Sequence, residues 1–166
     1  MIDVSEATRP VNGTKPQADT TTSTARLTAS AVFGEVVGLM MSMPAYRHVF
    51  LTDLDWMILP PLMLGQYKLY RDKDRPVAFA AWGKLSAEAE ARLQEANPRL
   101  APKDWNSGDR IWLINVFAPG SNADVVVADL AKTVFAETTF HMHKTTMTGR
   151  VSEVVHGAKI TRGGRT

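Results

Sequence analysis

The order of apolar patterns along this chain predicts an α/β or α+β sandwich around a mixed sheet. Three observations carry that expectation. Apolar residues recur at helical spacing between Val32 and Met43, and two β-type runs flank a charged turn within residues 63–82. A solidly apolar strand at 110–118 is then followed by another helical pattern.

Residues 1–26 hold eight Ser/Thr, two Pro and almost no large apolar side chain. They cannot bury enough surface to offset ordering entropy, so they read as a disordered tail. From about Thr28 the pattern changes: Val32, Phe33, Val36, Val37, Leu39, Met40 and Met43 mark a helix face, and Pro44 stops it or starts the next turn. A Met-rich face of this kind belongs to core packing more often than to a ligand box. Pro60-Pro61 reads as a break before a strand at 63–70; residues 71–75 are a charged turn, and 76–82 complete an antiparallel hairpin. Ser86 can cap a helix running to about Ala96, with Glu88 and Glu90 near its positive end, and Asn97-Pro98 ends it. Residues 110–118 are apolar without alternation and read as a strand buried on both faces. A helix at about 123–135 places Val126, Val127, Leu130 and Val134 on one side, and short strands are expected at 139–145 and 150–155. Asn115 is the single amide in the apolar strand, and burial without a partner would cost it about 1–3 kcal/mol. It is therefore a structural hydrogen-bonder or part of a site.

At 166 residues the chain suits one domain with an adequate core. Cysteine is absent, which excludes disulfides, thiolate nucleophiles and thiolate metal sites and fits a reducing cytoplasm. No apolar run approaches the roughly 20 residues that span a bilayer, and the N-terminus lacks the basic-then-apolar pattern of a secretory signal. The net charge of +2 does not by itself argue for nucleic acid. Between Thr139 and Thr166, however, Lys144, Arg150, Lys159, Arg162 and Arg165 face only Glu153, so 5 − 1 gives +4. Such an end is either a solvated cationic tail or a surface for an acidic partner, such as a carrier protein, a phosphate group or nucleic acid. No RNA- or DNA-binding motif with interleaved aromatics accompanies it.

Several motifs follow one another in a fixed order. Leu59-Pro60-Pro61 leads to Gly65-Gln66-Tyr67, then to Arg75-Pro76-Val77-Ala78-Phe79-Ala80-Ala81-Trp82 and Leu85-Ser86 with its acidic helix. Asp104-Trp105, Ser107-Gly108-Asp109-Arg110 and Trp112 come next, then Ala118-Pro119 and, more weakly, Gly149-Arg150-Val151. In order and spacing, over about residues 30–160, this set resembles the RTX toxin-activating lysine acyltransferases. The resemblance implies a GNAT-like fold over 27–161, a mixed, mostly antiparallel sheet flanked by helices, with a short basic tail at 162–166. It also implies transfer of a fatty acyl chain from acyl carrier protein to internal lysines of an RTX-type protoxin, in the cytoplasm, by an enzyme that is often a homodimer and holds no cofactor or metal. The chain shows no glycine-rich pyrophosphate loop of the kind that coenzyme A users carry, which agrees with a carrier-protein donor.

At the reacting centre the chain departs from the family. The family's histidine, thought to act as base toward the amine, falls on Tyr46, and its supporting aspartate falls on Asn115; the serine of the same motif falls on Met43. A free phenol has a pKa of about 10 and is a poor base near neutrality. Asn115 keeps the shape of Asp without the charge, and a comparable Asp-to-Asn change in a serine protease triad costs about 10⁴ in rate. Tyr46 and Asn115 are nonetheless expected to line the centre, where a hydroxyl and an amide can bond each other. His48 is a stand-in base only if 44–50 is not helical, because two helical residues turn about 200°. Arg47, Gln66, Trp82, Ser107 and Arg110 are candidate substrate contacts. All but Arg47 have a local alternative: backbone satisfaction for Gln66 and Ser107, pairing with Asp109 or Asp104 for Arg110, and core or cleft-wall packing for Trp82. His141 and His143 share a face if their segment is a strand, yet no carboxylate lies near in sequence to complete a metal site, and an edge-strand pair is the default. The leading expectation is a toxin-activating protein acyltransferase. The alternatives are a catalytically impaired relative that binds acyl carrier protein or a toxin-like client, and an enzyme using a coenzyme A thioester and a small amine.

Overall fold

The computed structural model describes residues 20–120, 122–146 and 149–157. Helix α1 (Thr20–Met41) leads through a short 3-10 turn (Pro44–Tyr46) to α2 (Leu51–Met57) and α3 (Leu59–Leu64). Strands β1 (Tyr67–Asp72) and β2 (Arg75–Leu85) form the expected hairpin, followed by α4 (Ala87–Leu93) and a second 3-10 turn (Pro102–Trp105). Strand β3 (Arg110–Phe117), helix α5 (Ala123–Thr133) and strands β4 (Thr139–Thr146) and β5 (Gly149–His156) complete the fold. The five strands lie in the order β1-β2-β3-β4-β5, antiparallel throughout except for the parallel β3–β4 pair. The α/β class and the mixed, mostly antiparallel sheet flanked by helices are thus as expected.

The sheet separates two apolar layers. Val36 and Leu39 of α1, Ile58, Phe79, Leu85, Trp105, Trp112 and Phe117 pack on one face. Trp82, Leu113, Leu130, Phe135 and Phe140 pack on the other, beneath α5. Each fully buried side chain of this size contributes about 1.5–3 kcal/mol, so the layers hold the sheet from both sides.

Four expectations change. Residues 63 and 64 end α3 rather than open a strand. Pro60 and Pro61 sit in the first turn of that helix, where a missing N–H is tolerated, and Gly65 closes it with φ +66. Helix α2 is an element the sequence did not suggest, because Leu54 is its only buried residue and no apolar stripe marks it. Helix α1 begins at Thr20, inside the stretch read as tail, and α4 stops at Leu93 rather than near Ala96. The remainder of the tail, and Lys159, Arg162 and Arg165, lie outside the described residues.

The loop before β3 is locked by close contacts. The backbone N–H groups of Ser107 and Gly108 both donate to Lys84 O, and a Cβ on Gly108 would lie 2.4 Å from Leu85 O, so only glycine fits there. Buried Asp104 accepts from Ala101 N at 2.8 Å and pairs with Arg92 at 2.6 Å, anchoring the loop to α4.

Candidate active site

Strands β3 and β4 pair over only two steps, Trp112↔His141 and Leu113↔Met142. Beyond them the strands diverge, and a cleft of about 500 Å³ opens between residues 113–116 of β3 and 142–144 of β4. The volume lies within the roughly 300–1,000 Å³ of small-molecule sites. Tyr46, Trp56, Leu93 and Pro98 line it on one side of the sheet; Ala123, Asp124 and Val127 line it on the other. The cleft therefore passes through a wedge in the sheet.

A β-bulge decides what β3 presents to it. The register shifts between Ala81 and Trp82, so that Ala81 faces Asn115 while Trp82 faces Leu113, leaving Ile114 as the extra residue. The bulge turns Asn115 onto the same face as Trp112 and Phe117, where strict alternation from Trp112 would have placed it opposite.

Helices α2 and α3 then supply its partner. In a continuous helix the carbonyls of Trp56 and Met57 would accept from the N–H groups of residues 60 and 61. Both residues are proline and have no N–H. The two freed carbonyls take side-chain donors instead: Trp105 Nε1 donates to Trp56 O at 3.0 Å, and Asn115 Nδ2 donates to Met57 O at 2.9 Å. Asn115 thus bonds to backbone rather than to Tyr46. Tyr46 is half-buried, its ring edge-on to Phe117 at 4.8 Å, and burial raises its phenol above the ordinary value. It is neutral at pH 7.

The opposite wall carries ionisable groups. His143 and Lys144 of β4 and Arg150 of β5 line the cleft. Phe140 and Met142 point into the α5 layer, so His141 and His143 lie on the other face, against Trp112. Ring centroids are 5.1 Å apart for His141–Trp112 and 5.0 Å for His143–Trp112. Trp112 is fixed in turn, donating from Nε1 to Glu90 Oε1 at 2.8 Å. Burial, and secondarily the Arg150 guanidinium, hold the His143 imidazole below its ordinary value. Arg150 donates to the carbonyls of Leu93 and Glu95, tying β5 to the end of α4.

The structure brings Tyr46 and Asn115 together at the cleft and leaves Arg47, His48, Gln66, Trp82, Ser107 and Arg110 outside its lining. His48 and Arg47 are exposed beside the 3-10 turn. Gln66 is buried; with its amide turned to suit its neighbours, it donates to Trp82 O at 3.0 Å and Trp105 O at 2.9 Å. Trp82 packs edge-on against Phe135 in the α5 layer. Ser107 Oγ accepts from Ser86 N at 2.9 Å and donates to Asp104 O at 2.8 Å. Arg110 pairs with Glu90 at 3.0 Å. Gln66, Ser107 and Arg110 therefore hold loops and strand ends in place. His143 is the residue that sequence reasoning underused: the His141-Met142-His143 alternation marked a shared strand face, but not the opening beside it.

Among the described residues, no three His, Cys, Asp or Glu side chains come together to hold a metal, and no helix is long and apolar enough to cross a membrane. A hollow of about 510 Å³ between α1 and Pro76-Val77 has Glu35, Ser42, Arg75 and Asn122 as its polar lining and brings in no histidine.

Comparison with known proteins gives a consistent result. The profile of the family described as HlyC, the RTX toxin acyltransferase family, matches residues 25–159. The leukotoxin-activating lysine-acyltransferase LtxC of Aggregatibacter actinomycetemcomitans is 32% identical over 131 residues, covering 78% of this chain and 77% of that protein. The protein-lysine myristoyltransferase HlyC of Escherichia coli is 33% identical over 132 residues, 78% of this chain and 76% of its own. The protein-lysine palmitoyltransferase CyaC of Bordetella bronchiseptica is 37% identical over 94 residues, which span 57% of this chain and 51% of that protein.

Proposed function

Since the chain belongs to the RTX toxin acyltransferase family, we propose that it moves a fatty acyl group from acyl carrier protein to a lysine amine of an RTX-type protoxin in the cytoplasm. The observation that carries this reading is the wedge between β3 and β4. Its middle is apolar, with Leu113, Ile114, Val116, Val127 and Met142 suited to a fatty tail. The facing edges of the two strands are unladdered there, so their backbone groups can bond an extended amide-bearing arm. Its lining comes from both faces of the sheet, which suits a donor and an acceptor that approach from opposite sides. Lys144 and Arg150 give the ionisable wall a positive character that suits an acidic carrier protein, and the basic residues beyond 157 extend that character in sequence.

The reaction asks for three things: an oriented thioester, a neutral amine and an acceptor for the amine's proton. Asn115 is tied to Met57 O, so it braces the wall against α2 and supplies no negative charge. Tyr46 presents a neutral phenol. The test is transfer from acyl-loaded acyl carrier protein to an RTX protoxin, read as acylated lysines by mass spectrometry, with the coenzyme A thioester run alongside. Lysine acylation that prefers the carrier-protein donor is expected. No modified lysine would overturn the activity, and preference for the coenzyme A donor would overturn the carrier assignment. A homodimer is part of the same reading, and light scattering on the purified chain tests it.

A further inference from the structure

We propose that His143 is the proton acceptor for the attacking lysine amine in this chain. The assignment rests on the acyltransfer reading above and names the base within it. Of the four histidines, His143 alone lines the cleft. His48 is exposed beside the 3-10 turn; His141 sits where β3 and β4 are still paired; His156 ends β5, with Nδ1 3.2 Å from the Thr139 hydroxyl.

Position, support and charge state agree. Strand alternation places His143 on the face that the bulge gives to Asn115, at the point where the ladder has just opened. Its ring leans on Trp112, which Glu90 holds at 2.8 Å, so the imidazole has a fixed platform rather than a free rotor. The charged groups around it are Lys144 on its own strand, Arg150 from β5 and Asp124 from α5, all lining the cleft, with Glu90 of α4 behind Trp112. Partial burial and the nearby Arg150 keep the imidazole in the neutral, proton-accepting form at pH 7.

The step balances without a further reagent. The amine nitrogen adds to the thioester carbonyl carbon, and an N–H proton passes to the neutral imidazole. The C–S bond then breaks, and the imidazolium returns that proton to the departing sulfur. One N–C bond replaces one S–C bond, and one S–H replaces one N–H. In this arrangement the base enters from β4, across the cleft from the 3-10 turn that carries Tyr46.

The test measures kcat/KM for transfer from acyl-loaded acyl carrier protein to a lysine-bearing RTX segment, as a function of pH. The acceptor amine must itself be neutral, so kcat/KM falls toward acid in every variant as the lysine protonates. In the parent chain His143 is expected to add a second, steeper acid limb centred below 6.5. His143→Gln should lower kcat/KM by about 10²–10⁴-fold, abolish that limb and leave carrier-protein affinity unchanged. His143→Ala should recover part of the rate on addition of imidazole, a response that a merely structural role would not give. His48→Gln and His141→Gln should keep the parent profile. A His143→Gln rate within about threefold of the parent, or persistence of the second acid limb in that variant, overturns the assignment while leaving the acyltransfer reading in place. A parent chain that moves no acyl group overturns that reading and the assignment with it.

Discussion

On one wall of the cleft, the 3-10 turn, α2 and β3 present polar atoms that are neutral or already engaged: the Tyr46 phenol, and the Asn115 amide bonded to Met57 O. On the other wall, β4 and β5 present His143, Lys144 and Arg150. The first wall is fixed by hydrogen bonds to backbone, the second by ring contact with Trp112 and by the end of α4. The family resemblance points to the first wall, while His143, whose imidazole can exchange a proton near neutral pH, stands on the second. An uncharged pair at Tyr46 and Asn115 is therefore compatible with a working site.

The largest effect is expected when charge is placed on the first wall. Asn115→Asp removes the donor to Met57 O and sets a carboxylate against it; a loss of about 3 kcal/mol is expected at pH 7, read by urea unfolding. A carboxyl in that place has its folded pKa raised above the unfolded value. Stability is then retained below the unfolded pKa and lost as pH rises through the folded one, so the deficit should shrink toward pH 4. An equal deficit at both pH values would mean that Asn115 does not act as a donor. Trp105→Phe probes the sister bond. It orphans Trp56 O and leaves space around a smaller ring, for about 2–3 kcal/mol in the same assay.

Smaller effects sharpen the contrast. Lys68 pairs with Asp129 at 2.6 Å on the α5 face, with both side chains about a third exposed. Lys68→Met should cost about 0.5 kcal/mol or less and leave acyl transfer unchanged. Tyr46→Phe should change the transfer rate by less than about threefold, because a neutral phenol whose pKa is raised by burial takes up no proton at pH 7. A loss comparable to that expected for His143→Gln would return the chemistry to the first wall.

Much of the fold was legible because its signals are local. The solid apolar run of β3, the cap at Ser86 and the charged turn of the hairpin each announce themselves within a few residues. Helices α2 and α3 were not legible, since Pro-Pro reads as a breaker unless it lies in a first helical turn, and α2 buries only Leu54. At the site, Asn115 stood out as an amide in an apolar strand, but its partner lies 58 residues away in sequence. The bulge at Ile114 is invisible in sequence, because the extra residue is as apolar as its neighbours. Trp82 was a candidate substrate contact with core or cleft-wall packing as its alternative; it shares a face with Ala78 and Ala80 and packs under α5. His143 was legible only as half of an alternating pair, since the ladder's early end is a tertiary fact.

Two adjacent imino acids reach further than the bend they make. By withholding hydrogen from the backbone, Pro61 dictates the polarity required of a side chain one strand away: whatever occupies position 115 must give a proton in a hydrogen bond, not receive one. Positions 61 and 115 thus behave as one variable. Returning an N–H at 61 with Pro61→Ala should close the Met57 carbonyl into its own helix and relieve the harm done by Asn115→Asp, a non-additive rescue that a double-mutant cycle reads directly.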